Sequence, residues 1–576
     1  HWFQLVLGND TFSTGRVHAR ILHPPARNWV APLHAITPPF SLLFACLPLY
    51  HPATIMPILP LRFCLPLASS LLLAWASPAA VTLRVGQNFT GATYGIDSFD
   101  RPPDAGLAVG PSNVVEFING RFSVFTKTNG SPIQTETDDA FWRSAGVSVP
   151  SAFVSDPRIL FDAASQRWFA SMVDVPYSGG NRFLLAVSAN ADPTGTWNGV
   201  AWTADSLNGY LADFPTLGID ATGVYLSGDM FDGDNPVGSL LNWIPKQDLL
   251  ASPPSVARLT SSGLLDYATY GMVLQPAVTL GLASTPEAVL AVGNLGTDLQ
   301  SHSNLVAFTL RNAVLPGDLA LSAPGSIFVP PYTVPIDPPQ PGGADNLDDG
   351  DARFSAVVYR IGDVLYATHS VEVDNRAAIQ WFQVNATNQT LIQSGTITDP
   401  VSHLFYPAIA ANAAGTVVIV FNSCGTNSFI SSYAMVGEPS NGSLTFGNPV
   451  LLKAGLAGYR TNITSISRWG DYSAISPDPS DPTRFWSLTQ YPSSQTAWST
   501  QITELITSPL VLALNLSGTN AVLSWSASAA GFQLQSTPSL VPANWTPVPQ
   551  PAVLTGNQYS VALPMARAAA FFQLVK

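Results

Sequence analysis

Charged residues are scarce in this chain, yet some recur at intervals. Asp104, Asp156, Asp213, Asp351 with Arg353, and Arg468 with Asp471 each stand just before a short apolar run, and Gln275 and His403 with Tyr406 hold the same relative place. Two carboxylates facing one another can cleave a glycosidic bond, at separations of about 5–5.5 Å for retention and about 6.5–9.5 Å for inversion. Asp156, Asp213 and Asp471 are the candidates for that chemistry. Arg158, Arg353 and Arg468 offer another, because a guanidinium fork matches a carboxylate. With Asp351 and Tyr406 they make a candidate ligand-binding set. The same acids also have a plainer use. An aspartate before a strand accepts backbone N–H bonds and closes a turn.

The elements that must position these residues are short strands. Runs rich in Val, Ile, Leu, Phe, Tyr and Trp alternate with clusters of Gly, Pro, Ser, Thr and Asn. No long segment has a helical period, so the chain reads as all-β. One unit recurs: Pro or Ser, an apolar run, Asp or Asn at a turn, then a second strongly β run. PRILFD leads to WFASM, PTLGID to VYLSG, PAIAAN to TVVIVFN and SAISPD to FWSLT. Weaker copies start at 106, 276 and 355, so the starts are 106, 157, 215, 276, 355, 407 and 473. Each interval holds a strand, a turn, a strand and room for two more, the content of a four-stranded propeller blade. A ring of such sheets buries faces that one sheet alone cannot and leaves only short edges. The expected architecture is a seven-bladed β-propeller, with six or eight blades as alternatives, over residues 81–507. Asp162, Asp220, Asn412 and Asp478 should hold the hairpin turns. The segment 330–351 is too rich in Pro, Gly and Asp to read as a strand. From 508 to 576 the strands are shorter and alternate, which suits a small β-sandwich with Trp525 and Trp545 in its core.

Residues 56–80 have the layout of a secretory signal peptide: Arg62, an apolar run from Cys64 to Trp75, then small residues. Residues 1–55 precede the first methionine, Met56, and are expected to be an unstructured upstream extension. The apolar run is too short and too interrupted by proline for a transmembrane helix. The whole chain carries a formal charge of −13. Residues 1–80 hold four Arg and one Asp, which leaves 20 basic against 36 acidic residues beyond them. Such a balance disfavours nucleic acid as a partner. Cys424 is the lone cysteine after residue 80, so that part has no internal disulfide and no Cys-His metal spacing.

Two acidic loops invite a metal. GADNLDDGDAR supplies Asp345, Asp348, Asp349 and Asp351, and GDMFDGDN supplies Asp229, Asp232 and Asp234. Ca²⁺ takes 6–8 oxygens from flexible loops. Neither loop matches an EF-hand, since Leu347 and Met230 stand where oxygen ligands are needed. A solvated acidic loop is the alternative.

Three stretches carry a resemblance. RPPDAGLAVGPSNVVEFINGRFSVFTKTNG (101–130), DFPTLGIDATGVYLSGDMF (213–231) and RWGDYSAISPDPSDPTRFW (468–486) resemble secreted bacterial β-propeller proteins of mostly unassigned function, loosely grouped with sialidase-like propellers. The likeness spans most of 85–506 and implies fold and secretion, not a reaction. The C-terminal stretch from Leu523 is similar to modules that end many exported bacterial proteins. SANADPTGTW (188–197) comes near the sialidase Asp-box, but its Ser188-to-Asp192 spacing is wrong. Sialidases pair a tyrosine nucleophile with a glutamate, and five-bladed glycosidases use a glutamate acid. Here Glu116, Glu136, Glu287, Glu372, Glu438 and Glu504 all lie away from the repeat starts. Tyr472 could serve as a nucleophile, but it aligns with Phe214, which argues for packing. The expected function is therefore ligand binding at the surface or outside the cell, with a glycan or cell-surface protein as partner. A sialidase-like glycoside hydrolase is the alternative. A monomer is expected, with no cofactor unless Ca²⁺ fills the acidic loop.

Overall fold

A computed structural model describes residues 3–4, 81–149, 153–176, 180–281, 286–311, 320–440, 443–461, 466–509, 511–526, 532–539, 543–555, 558–564 and 570–575. The fold is all-β, built from up-and-down antiparallel sheets. Their innermost strands are Gly106–Val109, Phe153–Asp162, Leu211–Ile219, Met272–Pro276 continued by Val278–Leu280, Tyr359–Ile361, His403–Ala411 and Ala474–Pro477. Each repeat start read from the sequence lies in or beside one of them. Successive inner strands touch, and the last touches the first, so the sheets form a β-propeller around a central channel. Two links are hydrogen-bonded: Ile219 pairs in parallel with Val278, and Val278–Leu280 with Tyr359–Ile361.

The ring is closed by joining distant parts of the chain. Val81–Thr93 is the outer strand of the sheet whose other strands are Ala474–Pro477, Arg484–Ser494 and Ala497–Pro509. Its register runs from Val81 opposite Pro509 to Thr93 opposite Ser499. Neighbouring sheets bury aromatic side chains between their faces, which is what twisted four-stranded sheets need from one another. Phe117, Phe122, Phe141, Trp142 and Trp168 fill one such layer. Trp469, Trp486 and Trp498 fill another, with Cys424 among them.

The segment 330–351 differs from expectation. Gly325–Tyr332 is a strand that runs into it, and Asn346–Asp348 pairs in parallel with Ile466–Arg468. Pairing with a distant strand overrides the local turn composition. The described residues between 513 and 575 form two further sheets around Leu523, Trp525, Leu534, Val561 and Phe572. Trp545, expected in that core, is only half-buried. Residues 1–80 lie outside the described residues except Phe3–Gln4. These two pair with Phe571–Phe572. No helix among the described residues is long and apolar enough to cross a membrane.

Candidate functional site

The acids before the inner strands gather at one end of the channel, the mouth. Their backbone is unusual. Asp104, Asp156, Phe214 and Tyr406 have φ of 47°, 62°, 49° and 47°. Pairing slips by a bulge beside three of them, between Ser155 and Arg158, Asp213 and Thr216, and Phe405 and Ala408. Non-glycine residues reach this region only where surroundings impose it, and bulges re-aim side chains.

The surroundings are side chains of neighbouring blades. Asp104 accepts from the Asp471 N–H at 2.9 Å and from Asn119 Nδ2 at 2.9 Å. Asn119 Oδ1 accepts the Asp156 N–H at 3.0 Å, and its amide also donates to the Pro102 carbonyl. Asp156 accepts from Ser155 Oγ at 2.8 Å and from the Phe214 N–H at 3.2 Å. Asn181 holds both the N–H and the carbonyl of Ala212. Ser370 Oγ accepts the Tyr406 N–H at 3.2 Å, and Asn422 Oδ1 accepts from Trp469 Nε1 at 3.1 Å. The device repeats around the ring: a polar side chain of one blade fixes the start of the next.

Cations close the centre of the mouth. Arg158 is 6 % exposed. It donates from Nε to the Pro215 carbonyl at 2.8 Å and from Nη1 to the Ser355 carbonyl at 3.1 Å, on two other blades. Its guanidinium lies 3.6 Å from the Tyr472 ring centroid, on a third. Arg353 grips Asp351 through two N–H groups at 2.7 and 2.6 Å and stacks on Phe214. Arg468, half-exposed, pairs with Asp471 at 2.8 Å and Asp348 at 3.3 Å. Tyr406 donates to the Asp348 carbonyl at 3.0 Å. Gln275 donates to the Phe354 carbonyl, and His403 Nδ1 accepts the Ala377 N–H.

Burial raises the mouth acids. Asp104 is held well above the usual carboxylate range by desolvation, then by the charges of Asp471 and Asp156. Asp156 is pushed up to about 7 by desolvation, then by Asp213 and Asp471. Asp213 has an accessible side chain, yet desolvation raises it too. Tyr472 is pushed far up by burial, and its hydroxyl donates to the Pro157 carbonyl, so it packs against Phe214 as a phenol. This is poor ground for a nucleophile, which needs an ionised or base-activated oxygen.

The four carboxylates of the acidic loop point to different partners. Asp345 pairs with Arg460, Asp348 with Arg468 and Asp351 with Arg353, while Asp349 is buried against Ser370. Among the described residues no three His, Cys, Asp or Glu side chains are grouped to hold a metal ion. The carboxylates proposed for Ca²⁺ are thus turned to separate partners and not toward one point. Their loop instead crosses to the other side of the mouth. Gln340 clasps the Tyr459 N–H at 2.7 Å and its carbonyl at 2.9 Å.

The opposite end of the channel carries the hairpin turns. Asp162, Asp220, Asn412 and Asp478 each accept backbone N–H groups of their own turn, as expected. Two also reach lysines. Lys246 pairs with Asp162 of the preceding blade at 2.5 Å and donates to the Asp220 carbonyl of its own. Lys127 repeats this with Asp478 at 2.6 Å and the Gly110 carbonyl. Both lysines directly follow a third strand. Between these turns and Arg158 lies a cavity of about 470 Å³ with mainly apolar walls. The sequence placed its site at the mouth and did not single out this end, nor Asn119, Asn181, Ser370, Asn422 and the two lysines. One signal existed: an asparagine that ends a mainly apolar run, as in VVEFIN and TVVIVFN.

No family model matches the chain, and no curated protein matches it. Solved structures with distant likeness include Drosophila Semaphorin 1b, extracellular domains 1–2, at 6% identity and a TM-score of 0.34, covering 73% of this chain and 87% of that one. Trypanosoma rangeli sialidase in complex with sialic acid gives 9% identity and 0.33, over 72% and 59%. A thermostable family-43 glycoside hydrolase gives 11% identity and 0.31, over 63% and 96%. At such scores none of them assigns this chain a relative or an activity.

Proposed function

We propose that this chain is an exported, seven-bladed β-propeller that binds a glycan or a protein without catalysing a reaction, followed by a separate C-terminal β-sandwich module from about residue 508. The reading takes 56–80 as an export signal and the chain as a monomer without a cofactor. One observation carries it: the mouth acids Asp104 and Asp156 are buried and bonded to backbone N–H groups of neighbouring blades. A general acid or base needs a free face toward substrate. What the mouth leaves accessible is a rim of Arg468, Asp471, Asp348 and Asp213, suited to polar contacts with hydroxyls or side chains.

The hydrolase alternative has one observation in its favour. Asp213 is accessible, its carboxyl is raised by desolvation, and Arg353 and Arg468 face it. Aryl glycosides, an aryl sialoside among them, separate the readings. The expected result is no release of aryl alcohol above the buffer rate. Hydrolysis lost in both Asp213→Ala and Asp471→Ala would establish the alternative.

A further inference from the structure

The channel between the hairpin turns and Arg158 has the properties of a site, and it goes beyond the binding reading of the mouth. Its volume of about 470 Å³ falls within the range of small-molecule pockets, roughly 300–1,000 Å³. Leu107, Ile159, Leu217, Val357, Ile409 and Ile475 line it. Arg158 stands at the mouth end, where its guanidinium crosses to two other blades and stacks on Tyr472. The turn end is rimmed by the accessible residues Ala163 and Ala413.

The blind end is electrostatically incomplete. A buried guanidinium normally has an anion at contact, since carbonyl oxygens supply only partial charge. Arg158 has two carbonyls and two aromatic faces, and its Nη2 has no partner among the described residues. Asp156, two positions away on the same strand, does not supply that contact. Its oxygens accept from Ser155 and Phe214, and its carboxyl is pushed up to about 7. An apolar tunnel ending on an incompletely matched cation suits a ligand with an anionic head and an apolar body.

We propose that the channel binds a carboxylate with an unbranched aliphatic tail, the class of a free fatty acid, with its head toward Arg158 and its tail along the apolar walls. The ligand enters from the hairpin-turn end. Burying each further methylene strengthens binding by about fourfold until the channel is full. The head adds a charge-assisted contact that an alcohol of equal length lacks.

Calorimetric titration of the full chain with decanoate, and with decanol as the uncharged control, tests this. The expected result is one saturable site for decanoate, at least tenfold weaker binding of decanol, and weaker binding of octanoate than of decanoate. Arg158→Gln should lower decanoate affinity to that of decanol. Because that variant removes a buried contact and can fail to fold, the double variant Ala163→Trp with Ala413→Trp provides a second test at accessible positions. It should block both ligands while leaving the far-ultraviolet circular dichroism and the unfolding midpoint of the parent. Absence of decanoate binding overturns the site. Equal binding of decanoate and decanol overturns the role of Arg158. Undiminished binding in the folded double tryptophan variant places the ligand elsewhere and overturns the proposal. The glycoside screen interrogates the mouth alone, so either reading can fail without the other.

Discussion

The two ends of the channel are made by the same blades and treat charge in opposite ways. At the mouth, acids and arginines point inward and across the axis, where Asp104, Asp156, Arg158 and Arg353 tie blades to one another. At the turn end, charge is set into the rim. Asp162 and Asp478 bind lysines of the next blade, and the channel between them keeps apolar walls. An aspartate beside an inner strand does the same work at both ends, fixing backbone and neighbour. The ends differ in what remains at the axis: a cation plug at one, open apolar space at the other.

Breaking a turn-end clasp should have the largest effect. Lys246 is buried with Asp162 and also holds the Asp220 carbonyl. Removing one partner of a buried pair leaves an uncompensated charge. Lys246→Ala should cost about 3–5 kcal/mol in urea unfolding followed by tryptophan fluorescence. Lys127→Ala should cost less, because that lysine is more exposed. A mouth clasp comes next. Asn119→Ala removes bonds to Asp104, the Asp156 N–H and the Pro102 carbonyl, and should cost about 2–3 kcal/mol by the same measurement. Arg468→Ala should do least. Its ion pairs are half-exposed, which limits their worth to about 0–1 kcal/mol. If Arg468→Ala proved as costly as Asn119→Ala, the distinction between the buried plug and the accessible rim would be wrong.

The sequence revealed the repeat because a tight turn between two strands leaves a local mark, Asp or Asn after a short apolar run. The turns at Asp162, Asp220, Asn412 and Asp478 follow that mark. It also put Asp104, Asp156, Asp213, Arg353, Arg468 and Asp471 near one another, since residues before inner strands share one end of a ring. Their partners were not legible. Asn119 meets Asp156 and Gln340 meets Tyr459 only after the ring has closed. Nor does local composition predict the strand Asn346–Asp348, whose partner lies more than a hundred residues away. The cavity was illegible for a related reason: apolar residues of inner strands read as core whether they meet a neighbour or a void.

The burial of the mouth carboxyls is measurable through their titration. Asp104, Asp156 and Glu116 are raised chiefly by desolvation, the last two to about 7, and Asp138 and Asp229 to about 6. Unfolded, such groups titrate near 4. Between those values the folded chain binds more protons than the unfolded one, so stability falls as pH rises. Acids with lowered values, such as Asp205 and Asp481, stay ionised throughout that window and do not oppose the trend; His369 and His403, lowered by burial, do oppose it, but the raised carboxyls outnumber them. The decisive measurement is the urea midpoint of the full chain at pH 5 and pH 8, beside Asp156→Asn. The midpoint should be lower at pH 8, with a smaller difference in the variant. A midpoint equal or higher at pH 8 would contradict the claim that the mouth acids are buried parts of the ring.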